Sequence, residues 1–186
     1  MNLPNKLTIF RIILVPVLVI IALLDVPNKW IFVNLVFIIA SITDKLDGDI
    51  ARKTNQVTTF GKFLDPLADK ILVLSAMMIL VEIGEIPAWI PIIVITREFV
   101  VSGYRLIAVE QNGEVIAASI WGKIKTVTQM IAIILAFISV HMGNNLIHII
   151  TMIIMIISVI ATVFSGVNYL KGCKELLWTK DMQKKE

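Results

Sequence analysis

Apolar residues along this chain gather into six long blocks, each closed by a cluster of turn-forming residues. The blocks run over roughly 7–26, 30–52, 63–83, 88–109, 119–142 and 146–170. About 20 predominantly apolar residues are enough for an α-helix to cross a bilayer, so each block predicts a membrane-spanning helix. The separators are Val26-Pro27-Asn28, Thr54-Asn55, Gly84-Glu85-Ile86-Pro87, Gln111-Asn112-Gly113 and Gly143-Asn144-Asn145, where Gly, Pro and Asn favour turns. The pattern predicts an all-α integral membrane protein of six transmembrane helices, a single domain over 1–186. No whole unit repeats and no low-complexity linker intervenes. The start of the first block has two readings. Asn2-Leu3-Pro4-Asn5, followed by Lys6 and Arg11, suits either a flank whose cations snorkel to the headgroups or a short N-terminal interfacial helix.

Composition agrees with this. The chain has 186 residues, 58% of them hydrophobic, and a mean hydropathy of +0.88, above the usual share for a soluble domain. Little length remains for a separate soluble domain. The single cysteine, Cys173, cannot close an internal disulfide. The N-terminal run is too long for a signal peptide, and no small-residue cleavage site follows it.

Charge fixes the orientation. With six spans both termini lie on one side, and that side holds Lys6, Arg11, Lys45, Arg52, Lys53 and the lysines of 171–185. The other side keeps Lys29, beside Asp25, Glu82 and Glu85. The positive-inside rule places both termini in the cytosol. The net charge of +3 therefore reflects topology, and no nucleic-acid partner is expected.

The acidic residues at the ends of the second and third blocks carry the chemistry. Asp44, Asp47, Gly48 and Ala51 recur at i, i+3, i+4 and i+7, on one helix face. Gly61, Asp65 and Asp69 recur at i, i+4 and i+8 on a face of the next helix. Carboxylates at bilayer depth are costly and usually functional. Four converging acids repel unless cations intervene, and hard divalent ions suit all-oxygen ligands. The small residues Gly48, Ala51 and Gly61 either let a phosphate-bearing ligand approach or simply let helices pack. Asp49 points off the shared face. Pro66, directly after Asp65, suits a first turn or marks a kink.

The stretch Asp44-x-x-Asp47-Gly48-x-x-Ala51-Arg52, eight residues, then Gly61-x-x-x-Asp65-x-x-x-Asp69 resembles the signature of the CDP-alcohol phosphotransferase family at every defined position. The resemblance implies a six-helix membrane enzyme that moves a phosphatidyl or similar group from a CDP-linked donor to an alcohol. It implies a site for two divalent cations, Mg or Mn, at Asp44, Asp47, Asp65 and Asp69, with Asp69 as general base. Gly48, Ala51 and Gly61 would adjoin the nucleotide. Arg52 would meet the donor's pyrophosphate or a lipid headgroup. Family members are typically homodimers. Lys45, inside the first aspartate pair, departs from the family's usual filling and is placed to pair with Asp49.

Further polar residues bear on the acceptor. Asn5, Thr8 and Arg11 form one stripe. Glu98, Ser102 and Arg105 form another, with Arg97 beside Glu98, and Gly122-Lys123-Ile124-Lys125-Thr126 opens the fifth helix. The bland reading is an Arg97–Glu98 or inter-helix ion pair plus lysine flanks. The functional reading is a basic pocket for a phosphorylated alcohol. These peripheral motifs resemble the bacterial phosphatidylglycerophosphate synthase branch of the family. That implies CDP-diacylglycerol as donor and sn-glycerol 3-phosphate as acceptor, with Asn5, Thr8, Arg11, Arg97, Arg105, Lys123 and Lys125 on the acceptor phosphate. The site would face the cytosol from a multi-pass protein of the cell membrane. Rival readings are another acceptor (phosphatidylglycerol, inositol phosphate or serine), a divalent-metal transporter, and a structural membrane protein with an adventitious ion site.

Overall fold

The computed structural model describes the backbone of residues 3–54, 59–110 and 120–183, and the side chains of 5–44, 64–104 and 120–170. Six α-helices occupy these stretches, with no strand among the described residues: α1 (Leu3–Leu23), α2 (Lys29–Thr54), α3 (Thr59–Glu82), α4 (Trp89–Glu110), α5 (Ile120–Met142) and α6 (Asn145–Gln183). Each apolar block has become one helix. The interfacial segment considered ahead of the first span is not a separate piece, because α1 runs unbroken from Leu3. Pro66 lies inside α3, beyond its first turn.

The helix ends follow local chemistry. Gly84 (φ 76°) and Gly143 (φ 60°) close α3 and α5 in the left-handed region, which glycine adopts without steric cost. Asn144 caps α6: its Oδ1 accepts from the Leu146 amide at 2.9 Å, satisfying an otherwise unpaired helix-start donor. Beside that cap, His148 Nδ1 lies 2.9 Å from Glu85 Oε1. The separators at Asn55 and Gln111-Asn112-Gly113 lie outside the described residues.

The chain divides into two compact units. The first comprises Met1–Pro87 with Ala132–Thr151. Within it α1 packs on α2 and α3, and α2 on α3. Leu18, Phe37, Leu72, Met77 and Phe137 are fully buried, and so are the small residues Ala40, Ala68 and Ala76. Small side chains let helix backbones approach closely, which is how helices associate where lipid removes the hydrophobic drive. Trp30 stacks on Phe137 with ring centroids 6.2 Å apart. The second unit comprises Ala88–Ile131 with Met152–Glu186. There Val101 and Tyr169 are buried together, with Tyr104 against them.

The surface is far more apolar than that of a soluble protein, and several polar side chains are buried. Phe99, Ile120, Leu146 and many other large apolar side chains are exposed, whereas Gln129, Ser139, Ser158, Thr162 and Ser165 are buried. Water tolerates few contiguous apolar patches of that extent; lipid requires them. Hydroxyls on the helices bond back to their own backbone, as Ser41 does to the Phe37 carbonyl (2.8 Å) and Thr96 to that of Ile92 (2.8 Å). Among the described residues, three helices are long and apolar enough to cross a membrane: Asn5–Leu23, Ile120–Met142 and Asn145–Leu170. The chain is a membrane protein. α2 and α3 differ because Asp44 and Lys45 end the apolar stretch of one, and Asp65, Asp69 and Lys70 begin the other.

Candidate functional site

Helical register sets the acidic faces. α2 carries Asp44, Asp47, Gly48 and Ala51 on one side, and α3 carries Gly61, Asp65 and Asp69 on one side. The side chains of Asp47, Gly48, Ala51, Arg52 and Gly61, and those of Lys45 and Asp49, lie outside the described residues. Asp44 and Asp65 are close enough for their charges to repel. The described acid of α2 and the first acid of α3 are therefore near one another.

The third participant is α1. Arg11 is completely buried, and its Nη1 lies 2.6 Å from Asp44 Oδ1. One helical turn earlier, the buried Thr8 hydroxyl donates to Asp65 Oδ1. Asn5, a further turn back, is buried too. The stripe that sequence reasoning assigned to an acceptor phosphate is thus turned onto the acids of α2 and α3. One positive charge and one hydroxyl of α1 each fix a carboxylate oxygen of a different helix. Asp69 also has a polar or electrostatic partner.

Among the described residues, no three His, Cys, Asp or Glu side chains gather closely enough to hold a metal ion. Two carboxylates from adjacent helices do share one place, and their donor set is wholly oxygen. That chemistry fits a hard divalent cation. Arg11 supplies part of the neutralisation that such a group of acids needs.

A second charged cluster lies in the other unit. Glu98 Oε1 accepts from Arg97 Nη1 at 3.2 Å and from Lys125 Nζ. Arg97 Nη2 donates to Ser165 Oγ at 2.6 Å. The ion pair foreseen at Arg97–Glu98 is present, and Lys125 of α5 joins it. Two cations share one carboxylate, so the cluster keeps a positive charge. Lys123 is exposed on α5, and the Arg105 side chain lies outside the described residues. Ser165 was not singled out for this cluster. Its signals are the small pair Ser165-Gly166, which suits close helix contact, and the hydroxyl stripe Ser158, Thr162 and Ser165 at i, i+4 and i+7 on α6.

Comparison with known proteins bears on both clusters. The family model described as CDP-alcohol phosphatidyltransferase matches residues 1–164. A CDP-diacylglycerol–glycerol-3-phosphate 3-phosphatidyltransferase of Bacillus subtilis is 51% identical over 144 residues, covering 71% of this chain and 74% of the relative. The protein of the same name from Haemophilus influenzae is 41% identical over 177 residues, covering 93% and 94%. That of Rickettsia bellii is 39% identical over 181 residues, covering 94% and 96%.

Proposed function

This chain belongs to the CDP-alcohol phosphatidyltransferase family of enzymes, and on that footing we propose that it transfers the phosphatidyl group from CDP-diacylglycerol to sn-glycerol 3-phosphate, releasing CMP and phosphatidylglycerophosphate. The names of its relatives support this choice of substrates. The observation that carries it is the junction of Arg11–Asp44 and Thr8–Asp65, which ties the acids of α2 and α3 into one centre.

Asp44, Asp47, Asp65 and Asp69 would hold two divalent cations, Mg or Mn. When bound, such ions offset the charge of the donor's diphosphate and of the departing CMP. The acceptor hydroxyl oxygen forms the new bond to the phosphatidyl phosphorus, the bond from that phosphorus to the CMP oxygen breaks, and the hydroxyl proton passes to Asp69. Gly48, Ala51 and Gly61 leave room for the nucleotide, and Arg52 meets the diphosphate. Thr8 and Arg11 orient Asp65 and Asp44, and with the buried Asn5 they would border the acceptor's phosphate. Arg97, Arg105, Lys123 and Lys125 receive the acceptor's phosphate, for which a guanidinium held in place is well suited. The six helices all span the membrane, with both termini and the acidic centre at the cytosolic face, and the enzyme works as a homodimer.

The test is CMP release by the purified protein from CDP-diacylglycerol in mixed micelles. Release is expected only with both sn-glycerol 3-phosphate and magnesium or manganese present. Equal release with phosphatidylglycerol, inositol phosphate or serine would reassign the acceptor. Metal uptake into sealed vesicles without any CMP release would point to a transporter instead.

A further inference from the structure

Ser165 and Gly166 are neighbours on α6, both buried, and both touch Arg97 of α4. The guanidinium donates through Nη2 to Ser165 Oγ at 2.6 Å. A Cβ built on Gly166 would stand 3.2 Å from Arg97 Cγ, tighter than ordinary van der Waals contact. The stem of Arg97 therefore passes over bare backbone, and its head is pinned by the adjacent hydroxyl. Glu98 holds Nη1 from α4 itself. An arginine left free on its long stem would lose rotamer entropy on binding. One fixed beforehand has already lost it.

The kind of group used matters. A second carboxylate at position 165 would cancel the remaining positive charge of the Arg97–Glu98–Lys125 cluster. A hydroxyl accepts the same hydrogen bond and leaves that charge for an anion. Ser158 and Thr162, on the same stripe, direct their hydroxyls to the main-chain carbonyls of Lys125 and Ser158. Ser165 directs its own to a cation.

We propose that Ser165 and Gly166 are positioning residues that preset the Arg97 guanidinium for a phosphate-bearing acceptor, so that α6 helps select the acceptor without touching it. This rests on the acceptor-phosphate role proposed for Arg97.

Steady-state kinetics of the full chain in mixed micelles test it, varying sn-glycerol 3-phosphate and CDP-diacylglycerol in turn, with a thermal melt of each variant. Ser165→Ala and Gly166→Ala are each expected to raise KM for glycerol 3-phosphate about tenfold, the size of a hydrogen bond to a charged group, and to leave KM for CDP-diacylglycerol unchanged. Arg97→Ala should raise the acceptor KM at least as far. Adding Ser165→Ala to Arg97→Ala should then change nothing more, because both act through one group. If Ser165→Ala fails to fold, Gly166→Ala alone reads the same quantity. The proposal is overturned if Arg97→Ala raises the acceptor KM while the α6 variants do not, and in that case the acceptor role of Arg97 stands. It is overturned as well if the Ser165→Ala effect persists undiminished without Arg97. An acceptor KM unmoved by Arg97→Ala would remove both readings together.

Discussion

Arg11 is the most enclosed charge among the described residues of the first unit, fully buried against an Asp44 side chain that keeps 37% of its surface. Removing Asp44 is therefore damaging, since it takes a counter-charge from a guanidinium that water cannot reach. Asp44→Ala is expected to cost about 3 kcal/mol of stability and to abolish CMP release. Asp69→Asn is expected to stop turnover while leaving the melting temperature and CDP-diacylglycerol binding near their starting values. Melting curves, donor binding and CMP release on the two variants check this. Matching losses of stability would deny Asp69 its place as base. At this scale the sequence was readable wherever function follows helical arithmetic. The periodic placing of Asp44 on α2 and of Asp65 and Asp69 on α3 could be read directly, and Asp44 and Asp65 do lie near one another. The partners of Thr8 and Arg11 were not readable, because position 8 reaches position 65, and position 11 reaches 44, through packing that no local period encodes. Ser165 was missed for the same reason, with its partner 68 residues away.

At the scale of the element, α1 fastens the acidic centre, so its packing should set the centre's rigidity. Leu18, two turns beyond Arg11, is wholly enclosed. Leu18→Ala is expected to destabilise by about 2 kcal/mol, mostly as a cavity, since lipid weakens the transfer contribution. Unfolding in mixed detergent measures the loss, and an unchanged midpoint would show that α1 is held by its polar contacts alone. The helices themselves were legible because each rests on a long apolar block closed by turn-forming residues. Their limits were less so. α6 was expected to stop near 170 yet stays helical to Gln183. Hydropathy falls there, but Lys, Glu and Leu are good helix formers, and a drop in hydropathy ends a span without ending a helix.

At the scale of the whole molecule, the exposed apolar surface fits helices surrounded by lipid, and the lysine and arginine bias gives the proposed cytosolic placement of the basic ends a direct test. In a Cys173→Ser background, Lys29→Cys should react with a membrane-impermeant maleimide on intact cells. Asn55→Cys should react only after lysis. The opposite pattern would invert the protein in its membrane. α6 adds something that concerns neither substrate nor metal. Its 39 residues, Asn145–Gln183, make a helix of about 58 Å. Hydrocarbon about 30 Å thick, even at a tilt of about 40°, takes up about 39 Å of it. The remaining turns exceed what hydrocarbon of that thickness accommodates, so part of α6 lies in the headgroup layer or beyond it.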